Sequence, residues 1–172
     1  MPNKIITSFG SAFITPEDNL YREAEVLGEI IAKKGWAVCS GGYYGTMEAI
    51  SKGAKSAGGK TIGVTVKNWT AIPNSYIDEI VAMPNLLERI VELIALADAY
   101  IIFKGGTGTL LEISATLEMM NKKAIPEKMM VFYSDFWKGL ILTLKPDSDA
   151  LSALIDRNVK FIFNPEELKN LI

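Results

Sequence analysis

Residues 103–118 read FKGGTGTLLEISATLE, a stretch in which Gly105, Gly106, Thr107, Gly108 and Thr109 stand between a short apolar run and a segment of helical period. The run before it, AYIIF at 99–103, is the length of a buried strand, and TLLEISATLE after it repeats its apolar residues at helical spacing. A strand that enters a glycine-rich turn and leaves as a helix is the local unit of an open α/β sheet. In such sheets ligands bind outside the carboxyl ends of the strands. Glycine lets backbone N–H groups approach an anion closely, and the helix N-terminus adds partial positive charge, so a phosphate suits this turn. The hydroxyls of Thr107 and Thr109 add further donors.

Working outward, the same unit recurs. Short β-rich runs at 4–9 (KIITSF), 36–40 (WAVCS), 61–66 (TIGVTV), 128–133 (KMMVFY) and 159–163 (VKFIF) alternate with longer amphipathic segments. A weaker strand, YIDEIVA, is expected at 76–82. The alternation predicts an α/β fold: a three-layer, Rossmann-like arrangement with a mostly parallel central sheet of six or seven strands flanked by helices. Thr15-Pro16-Glu17-Asp18 offers an N-cap, a proline at the first helical position and early acids, which predicts a helix from there to Lys34, ended by Gly35. Further helices are expected near 45–57, 85–97, 108–122, 135–144, 147–156 and 165–171. No repeat, low-complexity tract or linker interrupts the pattern, so residues 1–172 are read as one nucleotide-binding domain.

A second glycine turn, Ser40-Gly41-Gly42-Tyr43-Tyr44-Gly45-Thr46, follows the second strand, and Gly10-Ser11 follows the first. Gly10, Ser11, Gly41, Gly42, Gly45 and Thr46 therefore join the residues of the 105–109 turn as candidates for holding a phosphate. Two familiar phosphate motifs fail. Gly41-Gly42-x-x-Gly45 is not GxGxxG, which disfavours NAD. Gly59-Lys60-Thr61 imitates the tail of a P-loop, yet Ala54 stands where its first glycine belongs and a strand follows in place of a helix.

Eighteen basic against twenty acidic residues give a net charge of −2, so the charge footprint of a nucleic-acid binder is missing. The longest apolar stretch, 90–103, is interrupted by Glu92 and Asp98 and falls short of the roughly 20 residues that cross a bilayer. Cys39 is the only cysteine, and Met1–Phe9 lacks the apolar core of a signal peptide, so a cytoplasmic setting is expected. With no histidine in the chain, the commonest general base and metal ligand is absent, and no metal or cofactor is expected. Catalysis would rest on carboxylates, Lys, Arg, Tyr or Ser/Thr.

Glu112 and Arg89 each have two readings. Thr109-Leu110-Leu111-Glu112 fits a capping box, in which the glutamate bonds back to the helix start. Arg89 belongs to a polar stripe with Asn85, Glu88 and Glu92 on an otherwise apolar helix, where an ion pair with Glu92 would satisfy it. The other reading is that both line a site.

Taken whole, SGGYYGTMEAISKGAKSAGGKTIGVTV, then Arg89, then KGGTGTLLE, resembles the cytokinin-activating phosphoribohydrolases known as LONELY GUY proteins, often mislabelled lysine decarboxylases. Their signature is PGGxGTxxE with an upstream Arg-Lys pair. Gly105, Gly106, Gly108, Thr109 and Glu112 match it, and Arg89 lies 23 residues before Glu112. Lys104 stands in place of the signature proline and Ile90 in place of the lysine, which removes a charge beside the arginine. The resemblance, over residues 4 to about 142, implies that Glu112 and Arg89 are catalytic. It also implies hydrolysis of AMP or an N6-substituted AMP to free base and ribose 5-phosphate, and a twofold homodimer. GTMEAISKGA also looks like the related molybdenum-cofactor carrier proteins, which bind a phosphorylated pterin without hydrolysing it. That implies a rival, non-catalytic reading as a carrier or sensor. A true amino-acid decarboxylase would need pyridoxal phosphate on a lysine and a much larger chain.

Overall fold

A computed structural model describes residues 4–172. The first three residues of the Met1–Phe9 stretch lie outside the described residues. Seven strands form one sheet: β1 (Ile5–Phe9), β2 (Ala37–Ser40), β3 (Thr61–Val66), β4 (Glu79–Met83), β5 (Ala99–Ile102), β6 (Met129–Tyr133) and β7 (Val159–Ile162). Their order is β4-β3-β2-β1-β5-β6-β7, and every neighbouring pair is parallel. The sheet is thus wholly parallel where the sequence predicted a mostly parallel one. β2, β3 and β5 are buried along their whole length, which is why they read as continuous apolar or small-residue runs without alternation.

Six α-helices cover the two faces: α1 (Asn19–Lys33), α2 (Thr46–Ser56), α3 (Leu86–Leu96), α4 (Thr107–Asn121), α5 (Lys138–Leu144) and α6 (Asp149–Asn158). α1 and α2 bury Leu27, Ile31 and Ile50 against Ile6, Val38, Ile101 and Phe103 on one face. The other four helices enclose Leu93, Ile94 and Ile113 with Phe9, Val64, Tyr100, Ile102 and Phe132. Each such side chain, fully buried, contributes roughly 1.5–3 kcal/mol of transfer free energy. Cys39 lies within the second of these cores, where burial pushes its thiol up to about 12 and leaves it an inert packing residue.

The structure differs from the sequence reading at several element ends and in one helix type. α1 begins at Asn19, not at Pro16, because the Asp18 carboxylate accepts from the Thr15 N–H at 2.7 Å and folds 15–18 into a turn. The weak strand begins at Glu79, not Tyr76. The Tyr76 carbonyl and the Asp78 carboxylate both accept from the Thr61 hydroxyl, at 2.6 and 3.1 Å, which holds 76–78 as a bend before the edge strand. The C-terminal segment Pro165–Asn170 is a 3-10 helix where an α-helix was expected.

β1 lies between β2 and β5, so the two glycine turns emerge on either side of the Gly10–Ser11 bend at the carboxyl end of the sheet's central strands. This switch point in strand order is where open α/β sheets leave a crevice.

Candidate active site

The three loops are stitched together through Ser11. Its N–H donates to the Lys104 carbonyl at 3.1 Å, and its carbonyl accepts from both the N–H and the hydroxyl of Thr46, at 2.9 and 3.1 Å. Thr46 is fully buried, so the structure uses both its donors as a brace between loops and leaves neither for a ligand. Gly45 is part of the same brace: its φ is +68°, and a Cβ there would lie 2.2 Å from the Ser11 carbonyl oxygen. Gly10 packs against Thr46 and Phe103. Gly42 takes a φ of +78°, its N–H donates to the Ser40 hydroxyl at 3.1 Å, and its carbonyl is held by the buried Asn74 side chain, also at 3.1 Å. Much of the first turn thus has an internal reason for its glycines.

The second turn is different. Gly105 packs under Thr109, whose buried hydroxyl a Cβ at 105 would meet at 2.1 Å. At Gly106 and Gly108, however, an added Cβ would meet nothing within 4 Å, and neither residue has positive φ. Neither the fold nor the backbone requires glycine at these two positions. α4 starts at Thr107 with no side chain capping its first amides, and Gly106, Thr107 and Gly108 are exposed. An uncapped helix start flanked by unneeded glycines leaves free N–H donors and room for an anion to reach them. Beside it, Ser11, Lys104 and Gly105 line a cavity of about 370 Å³ that extends towards Asp18 and Leu20 of the α1 entrance. A larger hollow, about 580 Å³ between the end of α4 and α6, lies at the opposite edge of the sheet, away from both turns.

Arg89 and Glu112 come from α3 and α4, and both bland readings fail. The capping box is not formed: the helix start is two residues earlier than Thr109, and the N-cap is Gly106. Arg89 does not point along a solvated stripe; it is only 7% exposed. Its Nε donates to the Val64 carbonyl at 2.7 Å, and its guanidinium lies against Gly41 and within 5.6 and 5.5 Å of the Tyr43 and Trp69 rings. Among the described residues no carboxylate lies within 4.0 Å of it. Burial pulls the Arg89 pKa down while the Glu112 charge opposes that shift. Burial likewise pushes the Glu112 carboxyl up to about 7, with Arg89 acting against the shift. The two charges therefore feel one another across a gap without forming an ion pair. A buried cation and a half-buried, desolvated carboxyl left unpaired cost stability, which makes the pair a candidate for binding a third component.

Sequence reading missed Tyr43, Trp69 and Asn74. Asn74 carries a signal only in hindsight, as a polar residue after Pro73 in the crossover; nothing in one sequence announces that Tyr43 and Trp69 stack on each other, at 5.7 Å and 28°. Ile90 packs in the core, so the position that departs from the Arg-Lys pair serves packing here. Lys104 is exposed at the second turn, its ammonium 5.7 Å from the Phe136 ring. Among the described residues no three His, Cys, Asp or Glu side chains converge as metal ligands, and no helix is long and apolar enough to cross a membrane.

A cytokinin riboside 5′-monophosphate phosphoribohydrolase of Mycobacterium tuberculosis is 32% identical over 111 residues, which is 63% of this chain and 59% of that protein. A pyrimidine/purine nucleotide 5′-monophosphate nucleosidase of Escherichia coli is 27% identical over 138 residues, 75% of this chain but only 30% of its own length. The chain thus matches less than two thirds of either relative. The molybdenum cofactor binding protein of Rippkaea orientalis superposes over 99% of this chain and 96% of its own, with 26% identity and a TM-score of 0.76. The sequence model of the SLOG cluster4 family matches residues 3–138, more than half of the chain, and to that family this chain belongs.

Proposed function

We propose that the protein is a nucleoside 5′-monophosphate phosphoribohydrolase, cleaving AMP or an N6-substituted AMP into free base and ribose 5-phosphate. The observation that carries this reading is the unpaired, buried Arg89 and the half-buried, desolvated Glu112 carboxyl, each shifting the other's ionisation, beside an uncapped helix start. The phosphate rests on the first amides of α4, with Gly106 and Gly108 leaving it room. Glu112 then faces the anomeric carbon. The C1′–N bond breaks with its electron pair leaving on the base, which takes up a proton, while water adds its oxygen to C1′. The transition state has oxocarbenium character, so a carboxylate stabilises the developing charge and accepts the proton of the attacking water. A carboxyl poised near 7 is matched to that exchange at neutral pH. Arg89 holds the phosphoribosyl oxygens or steadies the departing base. The names of the Mycobacterium and E. coli relatives support the same chemistry. No metal or cofactor enters this reading, and a cytoplasmic setting is part of it.

Incubation with AMP, N6-substituted AMP, GMP, CMP and UMP, read by chromatography, is expected to release base and ribose 5-phosphate in equal amounts from at least the adenine nucleotides. No free base after prolonged incubation with stoichiometric enzyme would refute the reading. The likeness to the Rippkaea cofactor-binding protein and the loss of charge at Ile90 favour the alternative, a carrier of a phosphorylated ligand. That alternative predicts stoichiometric binding without turnover.

A substitution tests the placement of the arginine. A Cβ at Gly41 would lie 1.8 Å from Arg89 Nη2 and 2.6 Å from Met47 Sδ, both far ends of flexible side chains. Gly41→Ala should therefore displace the guanidinium without unfolding the turn. We expect turnover to fall by about 100-fold with the melting temperature nearly unchanged, since misplacement of about 1 Å costs that much. Unaltered kinetics would remove Arg89 from the reaction.

The outer faces of α3 and α4 leave Leu86, Leu87, Val91 and Leu111 exposed while Ile90, Leu93 and Ile94 face inward. This two-sided helix supports a twofold homodimer, which light scattering would report as twice the mass of one chain. A monomer at tens of micromolar would refute it.

A further inference from the structure

We infer that Trp69 is the platform on which the ligand's planar heterocycle stacks. The inference rests on the phosphate-binding site proposed above, but not on whether that site hydrolyses its ligand. Trp69 lies in the crossover between β3 and β4, a stretch that forms no helix, and it is 45% exposed. Three contacts set its position: its backbone N–H donates to the Val66 carbonyl at 3.2 Å, Tyr43 stacks against its ring, and the Arg89 guanidinium lies 5.5 Å from that ring. Tyr43 is itself buried, with its hydroxyl accepting from the Val66 N–H at 3.3 Å, and Arg89 is tied to the Val64 carbonyl. The end of β3 thus anchors the whole group, and the indole keeps nearly half of its surface open next to Arg89. A large aromatic surface left wet beside an unpaired buried cation is unfavourable for folding alone. Both features are relieved by one ligand: an anion for the guanidinium joined to a flat π-system for the indole. A nucleobase and a pterin share that chemistry.

The experiment titrates intact wild-type, Trp69→Phe and Trp69→Ala proteins with AMP, with ribose 5-phosphate, which has the phosphate and no ring, and with a phosphorylated pterin, following tryptophan emission and calorimetric Kd. The other tryptophans lie elsewhere, Trp36 beside Lys4 and Trp137 buried with its indole N–H on the Phe103 carbonyl, and Trp69→Phe identifies the reporter. We expect the ringed ligand to quench Trp69 emission and ribose 5-phosphate to leave it unchanged. Trp69→Ala should weaken the ringed ligand by about 5- to 100-fold, the range for one base on one aromatic side chain, and ribose 5-phosphate by less than 2-fold. Trp69→Phe should retain most of the affinity. Which of AMP and the pterin shows the effect tells the two sources apart. The inference is overturned if Trp69→Ala binds AMP and the pterin as wild type does, if it loses ribose 5-phosphate equally, or if it changes only the oligomeric state. If wild type binds AMP with quenching yet never releases adenine, the hydrolase reading falls and the platform stands. If it binds none of the three, both fall.

Discussion

Replacing Glu112 by glutamine is expected to lower base release from AMP by about 10³-fold while leaving nucleotide affinity within a few-fold. Glutamine keeps the shape of the side chain and one acceptor oxygen, but it can neither take the proton of the attacking water nor carry the negative charge that balances an oxocarbenium-like carbon. Removing a single such group from an enzyme site costs roughly 10²–10⁴ in rate. The ionisation of Glu112 gives this prediction a second arm. Burial has pushed the carboxyl up to about 7, above its ordinary 4.5, so the native state prefers the proton. The wild-type kcat/KM should therefore rise with pH along a limb centred near 7, as the carboxylate forms, and that limb should be missing from the residual activity of Glu112→Gln. For stability the sign is opposite. Below about 4.5 the raised pKa costs nothing, and between about 4.5 and about 7 the unfolded chain gives up the proton while the native carboxyl keeps it, so stability is lost as pH rises to about 7. Glu112→Gln should melt higher than wild type at pH 8, by about 2–4 °C if the relief is on the order of 1 kcal/mol, and the difference should vanish towards pH 5. A variant that loses stability at pH 8 would mark Glu112 as structural; full turnover would remove it from the mechanism.

Gly53→Ala is expected to lower the melting temperature by about 6–12 °C, the largest single effect on stability that the fold implies. α1 and α2 touch through a reciprocal pair of glycines. A Cβ at Gly53 would lie 1.8 Å from the Glu25 carbonyl oxygen, and one at Gly28 would lie 2.1 Å from the Ile50 carbonyl oxygen. Both obstacles are helix backbone, so neither can be relieved by turning a side chain; the helices must separate. That separation loosens Leu27, Ile31 and Ile50 over the sheet. Overpacking of this kind costs up to about 3 kcal/mol, and a chain of this size loses about 2–4 °C for each. The gain in helix propensity from glycine to alanine, about 1 kcal/mol, works in the other direction and is too small to compensate. Thermal melts of Gly53→Ala and Gly28→Ala at one pH would check this, and an unchanged or raised midpoint for both would show that the helices can part freely.

Elements whose information is local were legible in the sequence. Buried strands such as β3 and β5 read as continuous runs because both of their faces are covered, and the turn at 105–109 announced itself by three glycines between a strand-length apolar run and a helical period. Misreadings arose where a distant or competing partner decided the outcome. Pro16 marks a plausible helix start, but the Asp18 carboxylate bonds the Thr15 N–H and moves the start to Asn19. Thr46 sits in a glycine turn and reads as a phosphate donor, yet Ser11, 35 residues away in the chain, takes both its hydrogen bonds.

The order of apolar runs and turn residues determined, without any coordinates, that this chain forms a mostly parallel α/β sheet with glycine turns between strand and helix, and the resemblance to the LONELY GUY proteins is what singled out Glu112 and Arg89. Hydrophobic period and backbone freedom act over a few residues, so one chain read in order is enough to show them. Only the tertiary structure decided that Arg89 is buried with no carboxylate on it among the described residues, that Glu112 is desolvated within reach of its charge, and that Trp69 and Tyr43 stack on each other beside the guanidinium. Desolvation and the pairing of charges depend on which atoms of far-apart segments come within a few ångströms of one another, and that is set when the sheet assembles.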